Sequence, residues 1–312
     1  MSAQPSGLAS RRRGNDNRVR IVSAETKLFA RLGEIWRSRE LFVNLVRSDI
    51  KVKYKNSALG IAWSMVAPAM SLTVFYFVFH FIAKNGIPNF VIYLFSGMLL
   101  WNFFQSSVLS GTASIVAHAG IVKKVSFPRE ILALASVGTA AVYLGFQTLV
   151  LVLFMAVLGV APVWTALPLL LLAFVTITVL AAGFAVLLAA LNVKFRDVQH
   201  LVEVLLTMIF WGCPIVYSFS MSVGPMLARH GLTWLYFANP LAPLLMTSQR
   251  VIYAHPKVAL QIPGAPSGQV LPNWSWGTYI VADLVILGLS ILLLLLGFVV
   301  FSRLEGNFAE EL

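Results

Sequence analysis

From Asn56 to Ala83 the chain carries no Asp, Glu, Lys or Arg. A helix crosses the hydrocarbon of a bilayer with about 20 mostly apolar residues. In lipid the backbone must satisfy its own hydrogen bonds, so a run of this kind folds as a helix. Five further segments have the same character. The six expected spans are Leu59–Ile82, Phe90–Val116, Ile131–Leu158, Trp164–Leu191, Val198–Tyr217 and Tyr279–Phe301. Charged residues make up 11% of the chain, against about 25% in a soluble domain. The expected fold class is an all-α integral membrane protein with six transmembrane helices.

The positions of Lys and Arg set the orientation. The segment up to Lys55 is the most basic, and Lys123, Lys124, Arg129, Lys194, Arg196 and Arg303 fall on the same side. The other side holds only Lys84, Arg229, Arg250 and Lys257. Both termini are therefore expected in the cytoplasm. Arg11, Arg12, Arg13, Arg18 and Arg20 are followed by no apolar stretch of signal-peptide type. Residues 1–35 read as a basic tail, disordered to about residue 22, and residues 305–312 as a second cytoplasmic tail. The net charge of +11 follows this topology and suits anionic lipid. It forms no soluble basic face with interleaved aromatics, so nucleic acid is not expected as a partner.

Directly before the first span stands RSDIKVKYK, Arg47 to Lys55. On a helical projection Glu40, Asn44, Arg47, Ser48, Lys51 and Lys55 share one side. Leu41, Phe42, Leu45, Val46, Ile50 and Val52 cover most of the other. Asp49 falls within the apolar sector, with Lys53 four residues on as a possible pair. Residues 36–56 are thus expected as an amphipathic helix in the membrane interface. It is either a surface flank of span one or a moving element at the mouth of a pathway.

Charges inside spans mark function by default, and few are present. Asp283 lies near the start of span six, where a helix N-terminus favours an acid. His200 and Glu203 read as interfacial, and His80 and His118 stand near span ends with no adjacent carboxylate. Cys213 is the only cysteine, so it makes neither an intrachain disulfide nor a metal site alone. No HExxH and no paired acids occur within the spans. Metal and general acid–base catalysis have no support, and no cofactor is expected in this chain. There is no GxxxxGK[ST] loop, so any ATP and Mg would act on a separate subunit.

Three connections are patterned. AGIVKKVSFPREIL, Ala119 to Leu132, is basic, with Pro128 placed for a first helical turn. It is an ordinary positive-inside loop or, if ATP drives the protein, a docking knob. NVKFRDV, Asn192 to Val198, opens span five, which ends in WGCPIVY, where Pro214 interrupts the helix. The stretch 218–278 then stays outside. Within it Asn239–Pro240 starts a helix towards Tyr253 that is a surface or re-entrant element.

These segments together resemble the permease subunit of ABC-2 type polysaccharide and teichoic acid exporters. The resemblance rests on Asp49, Lys51, Lys53, Tyr54, Ser57, Leu59–Gly60, Trp63 and Pro68. It continues through Lys123–Lys124, Phe127–Pro128–Arg129–Glu130, Phe195–Arg196–Asp197, Pro214, Tyr217, Asn239–Pro240 and Arg250. It covers residues 38 to 304 in order. It implies a pair of identical permeases with two separate ATP-binding cassette subunits, in a bacterial plasma membrane. It implies an ATPase-coupling loop at 118–130, with Lys123, Lys124, Phe127, Pro128, Arg129 and Glu130 as contacts. Phe195, Arg196 and Asp197 would make a second cytoplasmic contact, and short outer helices would shape the exit.

The cargo would be a glycan on a polyprenyl-pyrophosphate lipid. Arg47, Asp49, Lys51, Lys53, Tyr54 and Lys55 would then form the entrance, with cations attracting the pyrophosphate. The Ala-, Val- and Leu-rich chain looks like an actinobacterial member, for which the glycan would be a galactan. A neutral sugar chain needs few charges, and aromatic faces suit its C–H surfaces. Tyr76, Phe79, Trp101, Phe104, Trp211 and Tyr217 are the candidates for lining the conduit. Two rivals are an exporter of a drug or small lipid on the same fold, and a membrane-embedded glycolipid-processing enzyme. The second would need a paired acid or a nucleophile.

Overall fold

A computed structural model describes residues 28–57, 60–84, 86–125, 127–253 and 270–312. The tail expected up to about residue 22, the first residue of span one at Leu59, and residues 254–269 of the outer stretch lie outside these. Every regular element among the described residues is helical. Four helices are long and apolar enough to cross a membrane: α4 (Phe90–Ala117), α6 (Glu130–Leu158), α7 (Leu167–Lys194, extended by a turn at Trp164–Ala166) and α12 (Trp276–Leu304). The other two expected spans are shorter apolar helices. The first is α3 (Trp63–Tyr76), which continues as a wider π-helical turn, Phe77–Ile82. The fifth is α8 (Val198–Trp211). Its 14 residues rise about 21 Å, less than the roughly 30 Å of hydrocarbon, because Gly212 and Pro214 stop it.

The α4 helix is the centre. It is buried on nearly every side, packing against α6, α7, α8 and α11 (Leu241–Ile252). Helices α7 and α12 run together along most of their length. Small residues set these distances, as expected where lipid offers no hydrophobic drive between helices. A Cβ on Gly111 of α4 would sit 2.5 Å from the Ala185 Cβ of α7. Gly297 of α12 would approach the Gly183 carbonyl to 3.2 Å. The outward faces stay apolar: Leu149, Leu153 and Val157 on α6, and Val281, Val285 and Leu292 on α12, are all exposed. Such a surface has hydrocarbon as its solvent.

The break after α8 would leave carbonyls unbonded inside the bundle. Tyr93 Oη donates to the Pro214 carbonyl (3.1 Å) and is 2.8 Å from that of Tyr217. Gln249 Nε2 donates to Pro214 as well, at 2.7 Å. Gln249 belongs to α11, which follows the short helices α9 (Gly224–Arg229) and α10 (Thr233–Phe237) and is the helix expected at the surface or re-entrant. It is re-entrant and buried: Ala242, Leu244, Leu245, Met246, Thr247, Ser248 and Gln249 show no exposure. Asn239 Oδ1 accepts from the Leu241 amide at 3.1 Å, which caps it as expected. Asp283 is fully buried and accepts from Thr247 Oγ1 at 3.1 Å, joining α12 to α11.

The ends differ from the expected tails. Helix α1 (Leu28–Arg37) begins inside the stretch expected as a tail to residue 35. Its chain bends at Ser38 into α2 (Arg39–Lys53), so the amphipathic helix expected over 36–56 is shorter. At the C-terminus a turn (Glu305–Asn307) and α13 (Phe308–Glu311) fold back, and Phe308 is fully buried against Phe301. That segment is packed rather than free, because Phe308 finds an apolar site.

Gly111→Ala should therefore lower the thermal midpoint of the detergent-solubilised protein, at an overpacking cost of about 1–3 kcal/mol. Gly145→Ala, where a Cβ meets nothing within 4 Å, should leave the midpoint unchanged or raise it.

Candidate functional site

Helix α2 lies across α6. A Cβ on Gly138 would be 2.7 Å from Phe42 Cζ and 3.0 Å from Val46 Cγ2, so glycine opens the seat for α2. The apolar face of α2 is thus largely spent on protein, while Val43 and Val52 stay exposed. Beside this seat, α2, α3, α4 and α6 enclose a crevice with two joined lobes of about 420 and 610 Å³. Lys53, Ser106, Ala140 and Tyr143 line both lobes.

The larger lobe is hydroxylated. Ser106, Ser110 and Ser114 recur at every fourth residue of α4, and Ser136 and Thr139 face them from α6. This ladder places a polar stretch within the second half of the second expected span. The smaller lobe holds Tyr54, Ser57, Trp63 and Pro68, with Asn102 donating to Gln147 across 3.4 Å.

Asp49 reaches this space because it sits in the apolar sector of α2. Its ionic partner is His118, with Nε2 at 3.6 Å from Oδ1, rather than Lys53. The Lys53 ammonium lies 4.6 Å from the Tyr143 ring centre instead. Nδ1 of His118 donates to the Ser114 carbonyl at 2.8 Å. Both ring nitrogens face acceptors, an arrangement that favours the protonated ring. Asp49 accordingly raises the His118 pKa above its ordinary value.

Of the expected entrance residues, Asp49, Lys53 and Tyr54 line the crevice. Arg47, Lys51 and Lys55 are exposed and do not; one helix cannot aim all its cations the same way. Sequence reasoning missed His118 as a partner of Asp49, because the contact joins separate elements. The expected conduit residues also divide. Trp101 and Phe104 are 2% and 3% exposed and pack on Phe210 and Phe184, so they belong to the protomer core. Trp211 is exposed, while Tyr76, Phe79 and Tyr217 are half-buried.

The end of the bundle that carries Lys123, Lys124 and Lys194 presents a second surface. A short helix, α5 (Ala119–Val122), leads into the loop. Lys123, Lys124, Phe195, Arg196 and Asp197 are exposed, together with the apolar Ile121 and Val125. Phe127, expected as an anchor, is half-buried on the core, and Pro128 is half-buried. Arg129 and Glu130 turn inwards: Arg129 donates to the Glu305 carbonyl, and Glu130 is fully buried beside Arg31. Ile121 and Val125 are the apolar residues that the sequence pattern did not single out.

A family model described as ABC-2 type transporter matches residues 40–253. That range opens on α2 and closes after α11, so it takes in the crevice, the basic loop and the re-entrant helix. The O-antigen export system permease protein RfbA of Klebsiella pneumoniae is 31% identical over 212 residues, which cover 67% of this chain and 78% of that protein. Its namesake in Myxococcus xanthus is 33% identical over 229 residues, covering 71% and 84%.

The Asp49–His118 contact makes α2 docking pH-dependent. A raised pKa means the Asp49–His118 contact is complete below the ordinary imidazole range and is lost as pH rises through the raised value. A spin label at Val52→Cys, in a Cys213→Ala background, should become more mobile as pH rises above the ordinary imidazole range of about 6.5. Asp49→Asn should flatten that dependence.

Proposed function

The chain belongs to the ABC-2 type transporter family, and we propose that it is the membrane subunit of an ATP-driven glycan exporter. In this reading two copies of the chain assemble with two separate ATP-binding cassette subunits. They move a polyprenyl-pyrophosphate-linked polysaccharide from the cytoplasm to the outer side of the plasma membrane. For the glycan we propose a galactan, on the chain's actinobacterial-type composition.

The crevice carries the reading. It opens beside an interfacial helix, where a lipid-linked headgroup would arrive. It offers hydroxyls and an amide pair to sugar hydroxyls, and aromatic edges to their C–H faces. Lys53 at the junction of its lobes supplies a cation for a phosphate. The names of the RfbA relatives, O-antigen export permeases, support a polysaccharide as cargo.

The basic end is then cytoplasmic, by the same Lys and Arg bias that orients membrane proteins generally. Ile121, Val125 and Phe195 would give an ATPase subunit apolar anchors, flanked by Lys123, Lys124, Arg196 and Asp197. The exposed apolar faces of α3 and its π-helical continuation (Met70, Val74, Phe77) and of α8 (Val204, Met208, Trp211) would meet a second copy or lipid. Tyr76, Phe79, Trp211 and Tyr217 are the aromatics left to line a conduit.

Depletion of the protein should cause a polyprenyl-pyrophosphate glycan to accumulate on the cytoplasmic side, read by mass spectrometry of extracted lipid. A galactan would appear as a hexose ladder made only of galactose. Lys53→Gln should weaken stimulation of the ATPase by that lipid roughly tenfold or more, since a hydrogen bond to a charged group contributes about 1.5–3 kcal/mol. Lys51→Gln, on the exposed face, should leave it unchanged. Absence of any accumulated lipid-linked sugar would defeat the reading.

A further inference from the structure

Glu130 is the first residue of α6, and it is fully buried. Its ionic partner comes from the other end of the sequence: Arg31 of α1 places Nη1 3.1 Å from Oε1. The same guanidinium pairs through Nη2 with the carboxylate of Glu305, which follows α12. Arg129, beside Glu130, donates from Nη1 to the Glu305 carbonyl at 2.9 Å. Its guanidinium also lies 5.9 Å from the ring centre of Phe308. One cluster around the buried Glu130 therefore joins the first described helix, the end of the basic loop and the C-terminal segment.

A buried ion pair adds little net stability compared with apolar packing of the same volume, but losing one partner is costly. Its effect here is to enforce one relative placement of three segments. Each has a neighbour that matters. Glu130 closes the loop bearing Ile121, Lys123, Lys124 and Val125. Arg31 sits on α1, which turns at Ser38 into α2; the Ser38 amide and hydroxyl both bond the Glu34 carbonyl, at 3.0 and 2.9 Å. Helix α2 then carries Asp49 and Lys53 to the crevice.

We propose that Arg31, Glu130 and Glu305 form a clasp that makes the basic loop, the α1–α2 arm and the C-terminal segment move as one body. A displacement applied to the loop is thereby delivered to the crevice. Arg31, Glu130 and Glu305 are positioning residues, acting through α2 rather than on the cargo. What pushes the loop rests on the function proposed above; the clasp itself rests on the geometry alone.

The first test uses the full chain in lipid nanodiscs, in the Cys213→Ala background, with spin labels at Arg47→Cys on α2 and Lys124→Cys in the loop. The unaltered clasp should give one narrow distance distribution. Arg31→Gln, Glu130→Gln and the double variant should each broaden it to a similar extent, because either change alone opens the clasp. Glu203→Gln, at an exposed site, should leave it narrow. Glu305→Gln, at a partly exposed position, gives the same reading if Glu130→Gln fails to fold. A narrow distribution in Glu305→Gln and in any folded Arg31 or Glu130 variant overturns the clasp.

The second test assembles the chain with its ATPase subunit and measures export per ATP hydrolysed. Glu130→Gln, or Glu305→Gln in its place, should lower that ratio about tenfold while ATP hydrolysis stays within about twofold. A broadened distance with an unchanged ratio overturns the transmission role. If the unaltered chain exports no glycan, the function proposed above fails, and the label distances still decide the clasp.

Discussion

Inside hydrocarbon a backbone carbonyl that ends a helix early must find a donor, and the interruption after α8 is where this protein meets that demand. Tyr93 from α4 and Gln249 from α11 converge on the carbonyls of Pro214 and Tyr217. An unsatisfied group there would cost several kcal/mol. The bonds therefore require a polar residue at the head of α4 and a short helix driven into the bundle beside it. The re-entrant α11, the stop of α8 and the burial of Tyr93 are one solution to a single constraint. Ser248, bonding the Ser96 carbonyl at 3.0 Å, pins α11 to α4 a second time.

With that end pinned, small residues bring α4, α7 and α12 close along their lengths and fix the walls. The opposite end is left with a cavity. The serine ladder of α4 and the hydroxyls of α6 keep that cavity polar without placing a net charge in it. Charge is confined to its rim, where Asp49 faces His118 and Lys53 remains on an aromatic face. That distribution suits a cargo which is neutral along most of its length and anionic at one linkage.

The inward turn of Arg129 and Glu130 changes how the basic loop works. Its exposed part is apolar and cationic, at Ile121, Val125, Lys123 and Lys124, and its far end is anchored in the protein. A loop fastened in this way transmits a push instead of absorbing it. Through Arg31 it is fastened to α1, whose continuation α2 rims the cavity, so the two surfaces of the molecule are mechanically adjacent although they share no residue.

Hydropathy and the spacing of Lys and Arg determined the all-helical membrane class, the four long spans, the basic end, the interruption at Pro214 and the cap at Asn239. These are local properties, because a run of apolar residues or a proline acts through its own backbone. The family motifs likewise marked α2 and the basic loop as the places of interest. Tertiary structure decided which of those residues face each other. Lys53 lines the crevice and Lys51 does not, because α2 is seated against Gly138 in one rotation. Trp101 and Phe104 pack as core, because α4 is surrounded. Asp49 meets His118 and Glu130 meets Arg31 and Glu305 across long sequence separations, where no periodicity carries a signal. Burial and ion pairing between distant elements depend on how helices are placed against one another, and that placement is set by the close approach of small residues and by the carbonyls that had to be satisfied.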